Sequence, residues 1–275
     1  MPSLGQGGWT LGDDPSRAEE EIRALRLGVS LGMNLIDTAE MYGSGRSEEL
    51  IRRALRGVPR KEYQLVSKVL PQNAGEGRIF QSCEQSLRRL GTDCLDLYLL
   101  HWRGPVSLQE TVCCMEGLKR AGKIRFWGVS NFDTPDMEEL WAVPGGENCA
   151  ANQVMYHLGS RGIEFDLLPW LAAHGVAAMA YCPLAQGGRL ARMRQNLVSD
   201  PALLRVAAKY GVTTAQILLA FVLRQKNITA VPKAGTAAHV RENAASCALR
   251  IDAPDWGEID AVFPPPAHKM HLDIE

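Results

Sequence analysis

The feature that most constrains this sequence is a rhythm. Short apolar runs recur along the chain, and most are followed by a segment with helical spacing. The runs are Leu35–Asp37, Tyr63–Lys68, Leu95–His101, Ile124–Val129, Ala150–Tyr156, Val176–Tyr181 and Ile228–Val231, with a further short one over Leu4–Gly8. Several are continuously apolar rather than alternating, the pattern of parallel strands buried on both faces. Between them lie helix signals. Ser16-x-x-Glu19 reads as a capping box, with Ile22, Leu25 and Val29 at helical spacing and Gly32 as the stop. Ser107-x-x-Glu110 and Thr213-x-x-Gln216 open two more helices. Gly91 closes a third as a C′ glycine, and a short helix is expected near Pro254–Val262. Seven or eight such units in about 250 residues is the arithmetic of an α/β chain forming a single (β/α)8 TIM barrel over residues 1–275. A doubly wound sheet is the alternative, but it needs a glycine-rich phosphate turn after an early strand, and none is convincing.

Composition narrows the class without naming the chemistry. Lys+Arg is 30 against 31 Asp+Glu, so no basic excess exists to neutralise a nucleic-acid backbone. No run of 18 apolar residues suggests a membrane span, and MPSLGQGGW has neither the basic patch nor the apolar stretch of a signal peptide. Seven cysteines without a CxxC pair suit a reducing compartment. The expectation is a cytoplasmic enzyme acting on a small molecule, with no nucleic-acid or membrane partner. The even charge balance and the lack of an obvious exposed apolar helix lean towards a monomer.

Two motifs imitate nucleotide loops. Gly117 to Lys123 fits GxxxxGK, but Ile124 stands where a magnesium-binding hydroxyl belongs and the order is helix then strand, the reverse of a phosphate loop. Gly43-Ser-Gly45 lacks the third glycine of a dinucleotide fingerprint and reads as a turn. The strand ends are more informative, because barrel chemistry sits at the C-terminal edge of the strands. Asp37, Lys68, His101, Ser130 with Asn131, Tyr181 and Lys233 all fall there, each after apolar residues, and Gln153 can point into the barrel. Three ionisable groups ending three consecutive strands are hard to read as independent accidents of the core, since each offsets another's burial. Tyr42 follows Asp37 by five residues and can fold back over the same point. An ammonium at Lys68 would lower the tyrosine pKa, Asp37 would hold Lys68 charged, and His101 would bind a substrate oxygen or relay the proton. Such a set protonates a carbonyl oxygen as a hydride arrives. It carries no hydride source of its own, which implies a nicotinamide cofactor.

The run Asp37-Thr-Ala-Glu-Met-Tyr42-Gly43, then Val-Ser-Lys68, then Leu-Asp-Leu-Tyr-Leu-Leu-His101-Trp102 resembles the aldo-keto reductases. The resemblance continues through Gly128-Val-Ser130-Asn131-Phe132, Asn152-Gln153-Val-Met-Tyr156-His157, Ala180-Tyr181-Cys-Pro183-Leu184, Val231-Pro232-Lys233 and Arg241-Glu242-Asn243-Ala244, in order along nearly the whole chain. It implies a (β/α)8 barrel binding extended NADPH without a Rossmann motif, and the tetrad Asp37, Tyr42, Lys68 and His101 with Tyr42 as general acid. Ser130, Asn131 and Gln153 match residues holding the nicotinamide carboxamide, and Tyr181 matches the aromatic stacked on that ring. Pro183, Leu184, Gln186 and Gly188 match the pyrophosphate segment. Lys233 matches the lysine at the adenosine 2′-phosphate, with Thr236 and His239 beside it and Glu242 and Asn243 around the adenine. Trp9, Trp102 and Met41 match walls of the substrate pocket.

Departures from the family pattern bear on specificity. His239 stands where many relatives carry an arginine that grips the 2′-phosphate, so NADPH is favoured through Lys233 and NADH use stays open. Gly8 replaces a threonine before Trp9, and Cys182 replaces a serine after Tyr181. Only eight residues separate Trp102 from Thr111, and the C-terminal tail is short. The chain starts almost directly at its first strand, so no hairpin is expected to plug the barrel bottom. A short pair of loops implies an open, shallow pocket for small aldehydes and ketoaldehydes, methylglyoxal-like dicarbonyls among them. His157, His174 and His268 fit no ligand spacing, and no metal site is expected. Two other readings compete: a lyase forming a Schiff base on Lys68, and a non-catalytic cofactor sensor on the same barrel.

Overall fold

A computed structural model describes residues 1–185 and 197–274. Eight strands form one sheet in sequential order, each parallel to the next. They are β1 (Gln6–Gly7), β2 (Leu35–Asp37), β3 (Gln64–Val69), β4 (Leu95–Leu100), β5 (Ile124–Ser130), β6 (Ala151–Met155), β7 (Ala177–Tyr181) and β8 (Ile228–Ala230). The sheet closes on itself at the first and last strands. Gly5 N–H donates to Ala230 O at 2.8 Å, Ala230 N–H to Ser3 O at 2.9 Å, and Gly7 N–H to Pro232 O at 2.9 Å. The barrel expected from the sequence is therefore the observed fold. The expected strand limits differ from the observed ones by at most two residues, at the ends where a ladder frays, and Leu35–Asp37 is matched at both ends.

Ten helices are described around the barrel: α1 (Ala18–Ser30), α2 (Arg46–Leu55), α3 (Ile79–Leu90), α4 (Leu108–Arg120), α5 (Thr134–Trp141), α6 (Leu167–Ala173), α7 (Pro201–Tyr210), α8 (Thr214–Leu223), α9 (Ala237–Ala245) and α10 (Ala253–Val262). Their starts follow local chemistry. Ser107 accepts from Glu110 N–H at the head of α4, and Thr213 with Gln216 makes a reciprocal capping box on α8. Gly91 ends α3 and Gly122 follows α4, both with positive φ, so the false GxxxxGK motif is a helix end before β5. The expected box at Ser16 and Glu19 does not form. Asp14 instead accepts from the backbone and hydroxyl of Ser16, caps a 3-10 turn over Pro15–Arg17, and leaves Arg17 as the uncapped residue ahead of α1. Pro15 suits that first turn because it has no N–H to satisfy there.

The strand period then sets the layout of the interior. Side chains two residues apart point to the same face. Leu35, Val66, Leu97, Leu99, Ala151, Met179 and Val231 fill the inside of the barrel as an apolar cluster of their own. Two residues beyond six of them, on the same inward face, come Asp37, Lys68, His101, Gln153, Tyr181 and Lys233. A dry apolar plug thus underlies a polar ring at the C-terminal edge. A second, larger core lies between strands and helices, with Tyr98, Trp127, Phe132 and Phe221 fully buried.

The polar ring depends on close strand spacing at one glycine. A Cβ on Gly128 would stand 2.3 Å from Ala151 O and 2.9 Å from Leu99 Cδ2. Because these are backbone and core atoms, Gly128→Ala should push β5 from β6 and destabilise the fold by about 1–3 kcal/mol in urea unfolding. The same shift would break the pairing of Ser130 with Gln153, so turnover should fall together with stability.

Candidate active site

The centre of the polar ring is Lys68. Its side chain is fully buried, and its ammonium reaches Asp37 Oδ2 at 2.8 Å, Thr38 O at 2.8 Å and Tyr42 Oη at 3.0 Å. Those three partners match the three protons of the ammonium. Burial pushes the Lys68 pKa down, but the Asp37 carboxylate and the neighbouring tyrosine outweigh it and hold the pKa above the ordinary lysine value. An amine held as ammonium has no lone pair with which to form a Schiff base, which disfavours the lyase reading.

Tyr42 is brought to this point by the loop after β2. Tyr42 N–H donates to Ala39 O at 3.1 Å, and Glu40 N–H to Lys68 O at 3.3 Å. Gly43, Ser44 and Gly45 then turn the chain back through left-handed conformations into α2. The sequence suggested that Lys68 would lower the Tyr42 pKa. Lys68 does act in that direction, but burial acts more strongly the other way and Asp37 adds to it, so the pKa is raised above the ordinary tyrosine value. The phenol beside the lysine is therefore a protonated one.

His101 is also not what the sequence implied for a proton relay. It is buried beside Tyr42, with ring centroids 5.7 Å apart, and beside Trp102 at 4.8 Å. Burial and the Lys68 charge depress its pKa to about 2, so the imidazole is neutral throughout the working range. Among the described residues its Nδ1 has no hydrogen-bond partner. A neutral imidazole can orient an oxygen by a hydrogen bond but carries no spare proton.

Gln153 has a function that sequence spacing could not show. Its Nε2 donates to Asp37 Oδ1 at 2.8 Å, across the width of the barrel. Its backbone oxygen accepts from Ser130 Oγ at 2.9 Å and from Asn131 N–H at 2.8 Å. Asn131 has a left-handed backbone, φ 60°, and its Nδ2 donates to His101 O at 3.1 Å while its Oδ1 accepts from Tyr181 Oη at 2.9 Å. The tetrad and the Ser130–Asn131–Gln153–Tyr181 platform thus form one hydrogen-bonded unit. The space beside Gly8 is filled from elsewhere. A Cβ at Gly8 would sit 2.8 Å from Ser47 Oγ, and that hydroxyl donates to Gly8 O at 2.9 Å.

The rim carries the other expected residues. Trp9 is about half exposed and meets Tyr42 edge to face, with centroids 4.9 Å apart. Trp102 is the second exposed aromatic, and Met41, beside Tyr42, is partly buried. Pro183 is buried and Leu184 partly so at the end of β7. Gln186 and Gly188 lie outside the described residues. At the head of α9, Thr236 caps His239 N–H, and His239 is exposed. Lys233 Nζ is 3.9 Å from Glu21 Oε1. Glu242 is engaged with Thr213, whose hydroxyl donates to its carboxylate, and Asn243 is buried with an Nδ2 that has no partner among the described residues.

Comparison with known proteins agrees with this geometry. The aldo/keto reductase family model matches residues 3–263. The chain belongs to the aldo/keto reductase family. It is therefore an oxidoreductase, and the reading as a non-catalytic sensor falls away. This aldo/keto reductase is 49% identical to methylglyoxal reductase YeaE of Escherichia coli K12 over 100% of its own length and 95% of that protein's. It is 31% identical to glyoxal reductase of Bacillus subtilis, covering 95% of this chain and 89% of the relative. An aldo-keto reductase from Klebsiella pneumoniae, crystallised with NADPH, superposes with a TM-score of 0.97 at 49% identity, covering 100% and 95% of the two chains.

Removing one partner of a buried ion pair leaves the other charge stranded. Lys68→Met should cost about 3–5 kcal/mol in urea unfolding and abolish turnover. Adding Asp37→Asn to it should restore part of the stability and none of the activity.

Proposed function

We propose that this reductase converts small aldehydes and dicarbonyls of the methylglyoxal type to alcohols, with NADPH as the hydride source and Tyr42 as the proton donor. The observation carrying the proposal is the protonated Tyr42 hydroxyl 3.0 Å from a Lys68 ammonium that Asp37 holds in place. Relatives named methylglyoxal reductase and glyoxal reductase, and neighbours crystallised with NADPH, support it.

The residues present fit the cofactor. Ser130, Asn131 and Gln153 offer amide and hydroxyl groups to a carboxamide, with the half-buried Tyr181 ring beside them. Lys233 is a cation for a phosphate, and Asn243 Nδ2, which has no partner among the described residues, is a donor near the end of α9. Bound there, a reduced nicotinamide supplies the hydride.

The chain's own residues do the rest. A substrate carbonyl sits with its oxygen towards Tyr42 Oη and the neutral His101, which together orient it. Tyr42 gives up its proton as negative charge builds on that oxygen. The Lys68 ammonium, 3.0 Å away, stabilises the phenolate left behind. A buried phenol is a weak acid in the resting state, so the proton stays in place until the oxyanion begins to form. Trp9 and Trp102 wall the mouth with exposed aromatic surface, which suits small carbonyl compounds over a single bulky one.

Tyr42→Phe should lower carbonyl-dependent NADPH oxidation by about 10²–10⁴-fold while cofactor binding, followed by fluorescence, persists. Retained turnover would overturn the proton-donor assignment. The raised pKa sets the pH dependence. The protonated phenol is the active form in reduction, so at saturating cofactor ionisation of Tyr42 should not lower the rate until the pH rises above the ordinary tyrosine value of about 10. A carbonyl panel should show broad use of small aldehydes, and a sharp preference for a bulky steroid ketone would contradict the substrate class.

A further inference from the structure

Lys233 follows the end of β8 on the inward face and stands as the cation for the cofactor's 2′-phosphate, in a family whose usual second cation is replaced here by His239. His239 is exposed on the first turn of α9 and has its backbone, not its ring, engaged by Thr236. A singly charged lysine grips a phosphate less firmly than a lysine and a guanidinium together. Another cation does reach the same point, from the opposite end of the chain.

That cation is Arg17, the residue ahead of α1. A methyl group placed on Gly235 would touch Arg17 Nη2 at 3.1 Å, Lys233 Nζ at 3.2 Å and Glu21 Oε1 at 3.6 Å. The two cationic heads therefore face the same small space, which glycine leaves unfilled. Glu21 is the single buried carboxylate between them, and its other oxygen is already taken by Gly12 N–H at 2.9 Å. Burial and Arg17 both push the Lys233 pKa down, while Glu21 and the more distant Asp13 pull it up. Glu21 is buried and can neutralise only one of the two cations, while Glu20 and Asp13, which also face them, are solvent-exposed carboxylates. Among the described residues Arg17 has no strong partner elsewhere. Its guanidinium lies 3.7 Å from Glu20, and both side chains are close to half exposed, a geometry that contributes little.

We propose that Arg17 is a specificity-determining residue that binds the cofactor's 2′-phosphate together with Lys233, in place of the arginine that this chain lacks at position 239. The inference rests on the NADPH reading above. The dianionic phosphate enters over Gly235, accepts from the guanidinium and the ammonium, and relieves the repulsion between them. The 3-10 turn capped by Asp14 is what carries Arg17 to this position, so the five residues Gly12–Ser16 act as the arm of the phosphate site. NADH lacks the 2′-phosphate and makes neither contact.

The test is equilibrium binding of NADPH and NADH to the full chain, followed by quenching of intrinsic fluorescence, for the wild type, Arg17→Ala and Arg17→Lys. The expected result is that Arg17→Ala weakens NADPH about ten-fold and NADH less than about two-fold, the loss of one charge-assisted contact, with Arg17→Lys in between. Arg17 is surface-exposed, so thermal unfolding of the variants should match the wild type. Equal weakening of both nucleotides would make Arg17 a structural prop and overturn the inference, as would no weakening of either. Both results leave the NADPH reading standing, provided the wild type binds NADPH more tightly than NADH. A wild type that does not distinguish the two nucleotides overturns the NADPH reading and this inference together.

Discussion

The ion pair between Lys68 and Asp37 is the interaction on which the rest of the site depends. Two charges inside a dry barrel are costly, and only full hydrogen bonding makes them tolerable. Lys68 reaches that state with three partners, and Asp37 shares its second oxygen with Gln153. Each partner is then fixed by what the pair requires. Tyr42 is held by the ammonium, Gln153 by the carboxylate, and Ser130 and Asn131 by the Gln153 backbone. The tetrad and the proposed cofactor platform are in this sense one network around one buried pair.

The barrel supplies the dry floor. Because inward residues alternate, six of the polar residues at the strand ends have an apolar one two positions earlier. Leu35, Val66, Leu99, Ala151, Met179 and Val231 play that part beneath Asp37, Lys68, His101, Gln153, Tyr181 and Lys233. The same apolar floor explains the depressed His101 pKa and the raised Tyr42 pKa, since both groups resist charge where water is excluded. A protonated phenol and a neutral imidazole are the states a carbonyl reduction can use.

The barrel and the gathering of Asp37, Lys68 and His101 at one edge were legible in the sequence because both follow from short-range pattern. Strand period places Asp37, Lys68 and His101 on one face, and local capping chemistry marks Ser107, Thr213 and Gly91. What was not legible arises from long-range contact. Gln153 and Asp37 are 116 residues apart, and nothing in either segment announces their hydrogen bond. Arg17 lies in a stretch whose apparent capping box is displaced by Asp14 and Pro15, which hides the direction of its side chain. The sign of the Tyr42 shift is a balance between burial and a neighbouring charge, and burial depends on packing that sequence spacing does not reveal. Nothing around Gly8 in the sequence announces Ser47, 39 residues on, whose hydroxyl donates to Gly8 O and occupies the space beside it.

These relations reduce to one claim, that Lys68 is charged while the tyrosine beside it stays protonated. Tyrosine ionisation can be followed directly by carbon NMR on protein labelled at the tyrosine ring Cζ, with the Tyr42 signal assigned from Tyr42→Phe. The account predicts that this signal titrates above the ordinary tyrosine value of about 10 in the free enzyme. A Tyr42 signal that titrates well below that value, giving a phenolate near neutral pH, would contradict it.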